Sequence, residues 1–353
     1  MYPALAVVSA LGKRAEVLWV GSEDGMEATL VNHAGLAFKS VPAAGIHGVG
    51  LWSWPRNLGR LARGVAAARK VLRQFQPDAL FFTGGFVGVP VALAGRRLPK
   101  AVFVPDIEPA MALRTIGRFA DVITVSTEIS RSYYPPTQRV VVTGYPTRPE
   151  LTAVTKDEAR IRLGLDTERP VVLVFGGSRG ARSINNSLWD CLTSLVEKAQ
   201  VLHITGELDW SKVEDIRTKL PPTKSASYHS FAYLHEEMAL ALAAADLVVS
   251  RAGAAILGEY PILGLPSILV PYPHAWRYQK VNAQYLVSCG AAVQLADEDL
   301  ARDLLPTILE LLDDQTRLRN MASAARKLVI PGAAQAIANE IEDLVMMRGG
   351  SRG

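Results

Sequence analysis

Short runs of Val, Leu and Ile alternate along this chain with longer stretches whose apolar positions recur at helical spacing. The runs at Glu16–Val20, Ala79–Thr83, Ala101–Val104, Val122–Val125 and Arg139–Thr143 predict a first set of strands. A second set is predicted at Pro170–Phe175, Gln200–Ile204, Leu247–Ser250, Ser267–Val270 and Ala291–Leu295. Strands apolar on both faces need helices to cover both, which makes the sheets parallel and the fold class α/β. Between the sets, Gly144–Glu150 reads "GYPTRPE", where two prolines and a glycine bar regular structure. The pattern predicts two doubly wound, Rossmann-like domains with a cleft between them. Ligands of such sheets meet the carboxyl ends of the strands, so the chemistry is expected in the loops that follow strands.

A length of 353 residues suits two domains, and 49% hydrophobic residues supply a core for each. No apolar run approaches the roughly eighteen residues of a membrane-spanning helix. The N-terminus lacks the basic-then-apolar layout of a secretory signal, so a cytoplasmic chain is expected. Cys191 and Cys289 have no metal-ligand spacing and are expected as reduced core residues. Net charge is uneven: residues 1–150 hold 17 Lys/Arg against 10 Asp/Glu, and the remainder 21 against 24. The excess concentrates between Leu51 and Pro77, which has no acid but carries Arg56, Arg60, Arg63, Arg69, Lys70 and Arg73 beside Trp52 and Trp54. Basic groups among interfacial aromatics suit an anionic membrane surface; the same segment also reads as a solvated basic helix. No nucleic-acid recognition motif accompanies the charge.

Three loops have the composition of ligand cradles. Gly176, Gly177 and Gly180 follow the run Val171–Phe175, with Ser178 among them and a helical pattern behind. A helix starting there offers free N–H groups to an anion. The spacing matches neither a P-loop nor a dinucleotide fingerprint, and a tight turn without ligand is the alternative reading. The second loop, Ser250–Glu259 ("SRAGAAILGE"), has small residues at Ala252, Gly253 and Ala254, with Arg251 as an anion partner. Glu259, placed five or six residues into the following helix, is either a ribose acceptor or a solvated helix residue. The third is Thr83–Pro90 ("TGGFVGVP"), with Gly84 and Gly85.

The segments "FGGSRGARSIN", "ADLVVSRAGAAILGE" and "GLPSILVPYPHAWRYQKVNA" together resemble the MurG family of glycosyltransferases. Looser resemblance in "YPALAVVSAL", "GSEDGMEATLV", "TGGFVGVPVALA" and "TGYPTRPEL" carries it along the whole chain. The resemblance implies the two-Rossmann GT-B fold and inverting transfer of N-acetylglucosamine from UDP without metal or other cofactor. The acceptor it implies is undecaprenyl-diphosphate-linked N-acetylmuramyl-pentapeptide, the step from lipid I to lipid II of peptidoglycan synthesis. It assigns residues 1–148 to an acceptor- and membrane-facing domain and 149–332 to the UDP-sugar domain. A helix over 333–347 returns to the first domain, and 348–353 form a disordered tail. The implied place is the cytoplasmic face of the cell membrane, held peripherally.

Position by position, the resemblance puts Arg148, Gly177 and Ser178 on the donor nucleotide. It puts Arg251, Gly253, Ala254, Ala255, Ile256, Leu257, Gly258 and Glu259 around the diphosphate and ribose, Glu259 on the ribose hydroxyls. Leu234 and His235 in "FAYLHEEM" match the uracil-binding stretch, and Gln279 the donor-sugar contact. Gly84, Gly85 and Asp106 fall on the acceptor side. Family members open with a strand and a G-G-T-G-G-H loop before the first helix, whereas this sequence begins at Met1-Tyr2-Pro3. The expectation is a first domain without that strand, its neighbours with unpaired edges. With the loop histidine unmatched, Asp106 in "FVPDIEPAMAL" becomes the candidate base, with Glu108 nearby; both also read as solvated acids of a loop turn. The alternatives are another GT-B enzyme with a different lipid or small acceptor, and a UDP-sugar-binding protein without turnover.

Overall fold

The structure, a computed structural model, describes residues 1–22, 27–42, 54–177, 180–235, 237–274 and 277–349. It divides into two compact units, Met1–Thr147 with the chain from Ile330 onward, and Arg148–Val329.

The first unit contains strands β1 (Leu18–Ser22), β2 (Ala37–Val41), β3 (Leu80–Phe82), β4 (Lys100–Val104), β5 (Val122–Val125) and β6 (Val140–Val142). Its helices are α1 (Tyr2–Leu11), α2 (Glu27–His33), α3 (Trp54–Phe75), α4 (Gly88–Ala94) and α5 (Met111–Gly117). All pairings are parallel, in two sheets: β1-β2 and β3-β4-β5-β6. Among the described residues β1 pairs only with β2, and β3 only with β4. Side chains alternate across the larger sheet, as the strand period requires. Val102 and Val104 join Phe82, Leu113, Ile116 and Val125 on one face, where Val41 and Val20 of the small sheet pack into the same core. Ala101 and Phe103 face the other way, onto Val7 and Leu11 of α1 and onto Ile337 and Leu344 of the C-terminal helix. Gly144 has φ +84°, and a Cβ there would lie 2.7 Å from that of Ile330. Only glycine serves both demands.

The second unit contains β7 (Val171–Phe175), β8 (Gln200–Ile204), β9 (Tyr228–Phe231), β10 (Leu247–Ser250), β11 (Ser267–Leu269) and β12 (Ala292–Gln294). Its helices are α6 (Lys156–Arg162), α7 (Arg182–Lys198), α8 (Val213–Lys219), α9 (Pro222–Ser225), α10 (Met238–Ala244), α11 (Glu259–Leu263), α12 (Tyr278–Ser288), α13 (Leu300–Asp313) and α14 (Gln315–Arg326). The last helix, α15 (Ala333–Gly349), lies in the first unit against α1. One parallel sheet runs β12-β11-β10-β7-β8-β9. The chain therefore starts in the middle, steps outward through β8 and β9, and resumes on the other side of β7 at β10. Val172 and Val174 pack with Ile184 and Leu188 of α7 and Leu304 and Ile308 of α13. Val171 and Leu173 are fully buried on the opposite face, where α10 lies.

Two strands, β2 and β9, lie outside the sequence expectation: one of the pair β1-β2 and one edge of the six-stranded sheet. "AFKSV" and "YHSF" carry too few apolar residues to form a run.

Candidate functional site

The reversal of strand order between β7 and β10 is the place where a doubly wound sheet opens a crevice. The register sets Phe175 beside Ser250, so the loops that follow these two strands open side by side. In the first, Gly177 and Gly180 take φ of +90° and +75°. A Cβ on Gly176 would lie 2.2 Å from the nitrogen of Ala181, and one on Gly180 would lie 2.2 Å from the carbonyl oxygen of Thr205. At Gly176 and Gly180 the backbone leaves no room for a side chain, and the loop leads into the 17-residue α7. Ser178 lies outside the described residues.

The second loop departs from the expected helix. Gly253 is extended, Ala254–Leu257 form a single 3-10 turn, and Gly258 precedes Glu259, the first residue of α11. Glu259 thus starts a helix instead of lying within one, and it is buried. Gly253 has an ordinary φ of −67°, and a Cβ there would meet nothing within 4 Å. Among the described residues nothing fills the space beyond the Gly253 Cα.

Arg148 opens the second unit and donates from Nη2 to Glu259 Oε1 at 3.3 Å, with both side chains nearly buried. Burial pushes the Glu259 carboxyl above the usual carboxylate range, and the Arg148 charge and hydrogen bond oppose that rise. When ionised, a carboxylate engaged by one cation still has capacity to accept hydroxyl protons.

Arg251 differs from its expected role as an anion partner for a ligand. Its guanidinium already holds the carboxylate of Asp297, donates to the Val270 carbonyl at 3.2 Å and to Ser183 Oγ at 2.8 Å, and lies over the ring of Tyr272. The anion it meets belongs to the chain itself. Gln279, in the first turn of α12, accepts the N–H of Tyr272 at 2.9 Å through Oε1. Leu234 is buried and His235 exposed after β9, with the rings of Tyr233 and His235 4.6 Å apart.

In the first unit, Gly84 and Gly85 have φ of +131° and +84° at the carboxyl end of β3. Asp106 lies in the loop leaving the adjacent strand β4, half-buried, and Glu108 is buried; neither is the solvated acid of a simple turn.

The model of the glycosyltransferase family 28 N-terminal domain matches residues 1–124, and that of the C-terminal domain residues 171–340. A UDP-N-acetylglucosamine--N-acetylmuramyl-(pentapeptide) pyrophosphoryl-undecaprenol N-acetylglucosamine transferase from Roseiflexus sp. (strain RS-1) is 37% identical, over 99% of this chain and 93% of that one. The enzyme of the same name from Halothermothrix orenii is 34% identical, over 97% and 95%. The chain is a member of the MurG family, within glycosyltransferase family 28. Its fold is that of the Acinetobacter baumannii MurG crystal structure, at a TM-score of 0.74 and 23% identity over 97% of this chain and 95% of that one.

For a MurG family member, the division of residues is informative. Gly84, Gly85 and Asp106 fall in the matched N-terminal domain, and Gly177, Leu234, His235, Arg251, Gly253–Glu259 and Gln279 in the C-terminal one. Arg148 lies in the stretch between the two matches, so its pairing with Glu259 is visible only in the structure. A buried polar ladder beneath the glycine loop also escaped sequence reasoning. Trp189 Nε1 donates to the Tyr228 hydroxyl at 3.1 Å, which lies 2.9 Å from His203 Nδ1. His203 Nε2 lies 3.0 Å from Asn185 Oδ1, while Asn185 Nδ2 donates to Thr205 O at 2.8 Å and to Asp209 at 3.1 Å. Every link is satisfied when His203 is neutral with its proton on Nε2. Burial accordingly pushes the His203 pKa down to about 3. The ladder fastens α7 to β8 at Thr205, whose carbonyl also abuts Gly180. Its only sequence signal is a histidine inside an apolar strand run.

Proposed function

We propose that this chain transfers N-acetylglucosamine from UDP-N-acetylglucosamine to O4 of the muramyl residue of undecaprenyl-diphosphate-linked N-acetylmuramyl-pentapeptide, with inversion. The observation that carries this is the pair of glycine-bearing loops at the β7/β10 reversal, beside a buried Glu259 held by Arg148. The names of the relatives supply the substrates.

In this scheme the main chain at Gly176, Gly177 and Gly180 and of the turn Gly253–Gly258 presents N–H groups to the diphosphate. Such preorganised donors stabilise the charge that develops on leaving UDP. Glu259 accepts the two ribose hydroxyls, the backbone at Leu234 and His235 meets uracil, and Gln279 meets the sugar. The muramyl hydroxyl attacks the anomeric carbon from the face opposite UDP. The bond from that carbon to the diphosphate oxygen breaks, and its electron pair leaves with UDP. The proton of the attacking hydroxyl passes to Asp106. No bound metal or other cofactor enters the scheme.

The lipid anchor of the acceptor calls for a membrane surface. No helix among the described residues is long and apolar enough to cross a membrane. Arg60, Arg63, Arg69, Lys70 and Arg73 are exposed on α3, and Met111, Arg114, Arg118 and Phe119 are exposed on and just after α5. We propose that this basic and apolar surface docks on anionic lipid, each cation contributing about 1 kcal/mol. Residues Leu51–Ser53 of the basic stretch lie outside the described residues.

The test is transfer in vitro with labelled UDP-N-acetylglucosamine and lipid-linked acceptor. Wild-type protein is expected to form the disaccharide lipid, and Asp106→Asn to lose about 10²–10⁴ in kcat, as loss of a general base does. An Asp106→Asn variant with wild-type kcat removes Asp106 from this role.

A further inference from the structure

We propose that Arg251, Asp297 and Ser183 form a clasp that holds the loops after four neighbouring strands in their nucleotide-binding arrangement. Arg251 is then a positioning residue for the donor, not a contact to it; this rests on the functional reading above.

The sheet order β12-β11-β10-β7 brings four strand ends into one row. Arg251 follows β10. Its Nη1 donates to the carbonyl of Val270, the residue just past β11, at 3.2 Å, and to the carboxylate of Asp297, shortly past β12. Its Nη2 donates to Ser183 Oγ at 2.8 Å, in the first turn of α7 behind the glycine loop of β7. Ser183 closes the triangle by donating its hydroxyl to Asp297 Oδ1 at 2.8 Å. The guanidinium carbon lies 5.2 Å from the ring centroid of Tyr272, whose N–H is held by Gln279. One cation thus touches the segments that follow all four strands.

Chemistry favours this use of arginine. A planar fork bonds in several fixed directions, whereas a lysine at the same place is a single point charge. The side chains of Arg251 and Asp297 are only 10% and 19% exposed, so solvent weakens the pair little. Asp297 also neutralises Arg251, which leaves the backbone N–H groups of the loops to face the diphosphate. Loops ordered before the ligand arrives lose no freedom on binding it, and that raises affinity.

The experiment is calorimetric titration of the full chain with UDP and with UDP-N-acetylglucosamine, together with steady-state kinetics, for wild type and the variants Arg251→Lys, Asp297→Asn and Ser183→Ala. The clasp predicts that Arg251→Lys and Asp297→Asn weaken both ligands about tenfold, the order expected when ordering moves to the binding step. Donor KM rises by the same factor, acceptor KM stays put, and the Arg251→Lys/Asp297→Asn pair is less than additive. Ser183→Ala, which removes one hydroxyl, weakens binding by a smaller factor and carries the test if the other variants fail to fold. A fall in kcat at unchanged Kd and donor KM would mean fewer folded molecules and overturns the proposal. Tighter UDP binding by Asp297→Asn also overturns it, since Asp297 would then compete with the diphosphate for Arg251. Failure of wild-type protein to bind either nucleotide sinks the donor site itself, a separate result.

Discussion

Gly253 and Gly180 separate two reasons for a glycine at the candidate site. At Gly253 the backbone is ordinary and the space beyond Cα is empty, so Gly253→Ala is expected to leave thermal stability unchanged or slightly higher. Donor affinity is expected to fall at least about tenfold, because the new methyl group enters the space assigned to the nucleotide. At Gly180 the φ of +75° and the nearby Thr205 carbonyl make alanine strained, at a cost of about 1–3 kcal/mol with or without ligand. Melting curves and nucleotide titrations of the two variants distinguish these cases. Glu259 adds a pH dependence. Its carboxyl titrates above the ordinary range, so donor affinity falls on acidification sooner than for an exposed glutamate. Arg148→Met removes the opposing cation, raises that pKa further and moves the acid limb of UDP binding to higher pH; an unmoved limb would disconnect Arg148 from Glu259. The glycines were legible in the sequence because each follows an apolar run. The partners of Arg148 and Arg251 were not, since Glu259 and Asp297 lie 111 and 46 residues away and no local pattern encodes such pairings.

Among the elements, β8 and α7 form the rigid floor of the glycine loop through the ladder at His203. The sign of its pH dependence follows from a pKa of about 3 against an ordinary 6.5. Above 6.5 the imidazole is neutral in folded and unfolded chains, and the stabilisation is complete. Below 6.5 the unfolded chain takes up a proton that the folded one refuses, so stability falls by about 1.4 kcal/mol per pH unit until the folded pKa is reached. Chemical denaturation of the second unit at pH 7 and pH 5 measures this slope, and His203→Leu is expected to flatten it. Asn185→Ala leaves His203 Nε2 without a partner and is expected to cost about 1–3 kcal/mol. Equal slopes for wild type and His203→Leu would place the acid sensitivity elsewhere. Covered strands such as β4, β7 and β10 were readable from apolar runs alone, and β7, β8 and β10 are bounded within a residue of expectation. Strands β2 and β9 were not, because "AFKSV" and "YHSF" contain no apolar run, whereas the edge strands β3, β6 and β12 do.

For the whole molecule, alternation of strand and helix was enough to predict two α/β units, and the parallel sheets follow from burial on both faces. The placement of α15 with the first unit has no signature in the helix itself; it comes from Ile337 and Leu344 meeting the faces of β4 and β5. The charge asymmetry translates into the exposed cations of α3. Replacing Arg60, Arg63 and Lys70 with glutamate is expected to weaken binding to anionic vesicles at least about 100-fold, and to leave UDP binding unchanged. Vesicle sedimentation at two ionic strengths checks this, and salt-independent binding would contradict it. The central claim, however, is sugar transfer to a lipid-linked acceptor. Its most direct test follows release of UDP and formation of disaccharide lipid together, for wild-type protein and Glu259→Ala. The account predicts one UDP released per disaccharide formed, with both lost in the variant. Binding of UDP-N-acetylglucosamine by wild-type protein with no transfer to the muramyl lipid would contradict it.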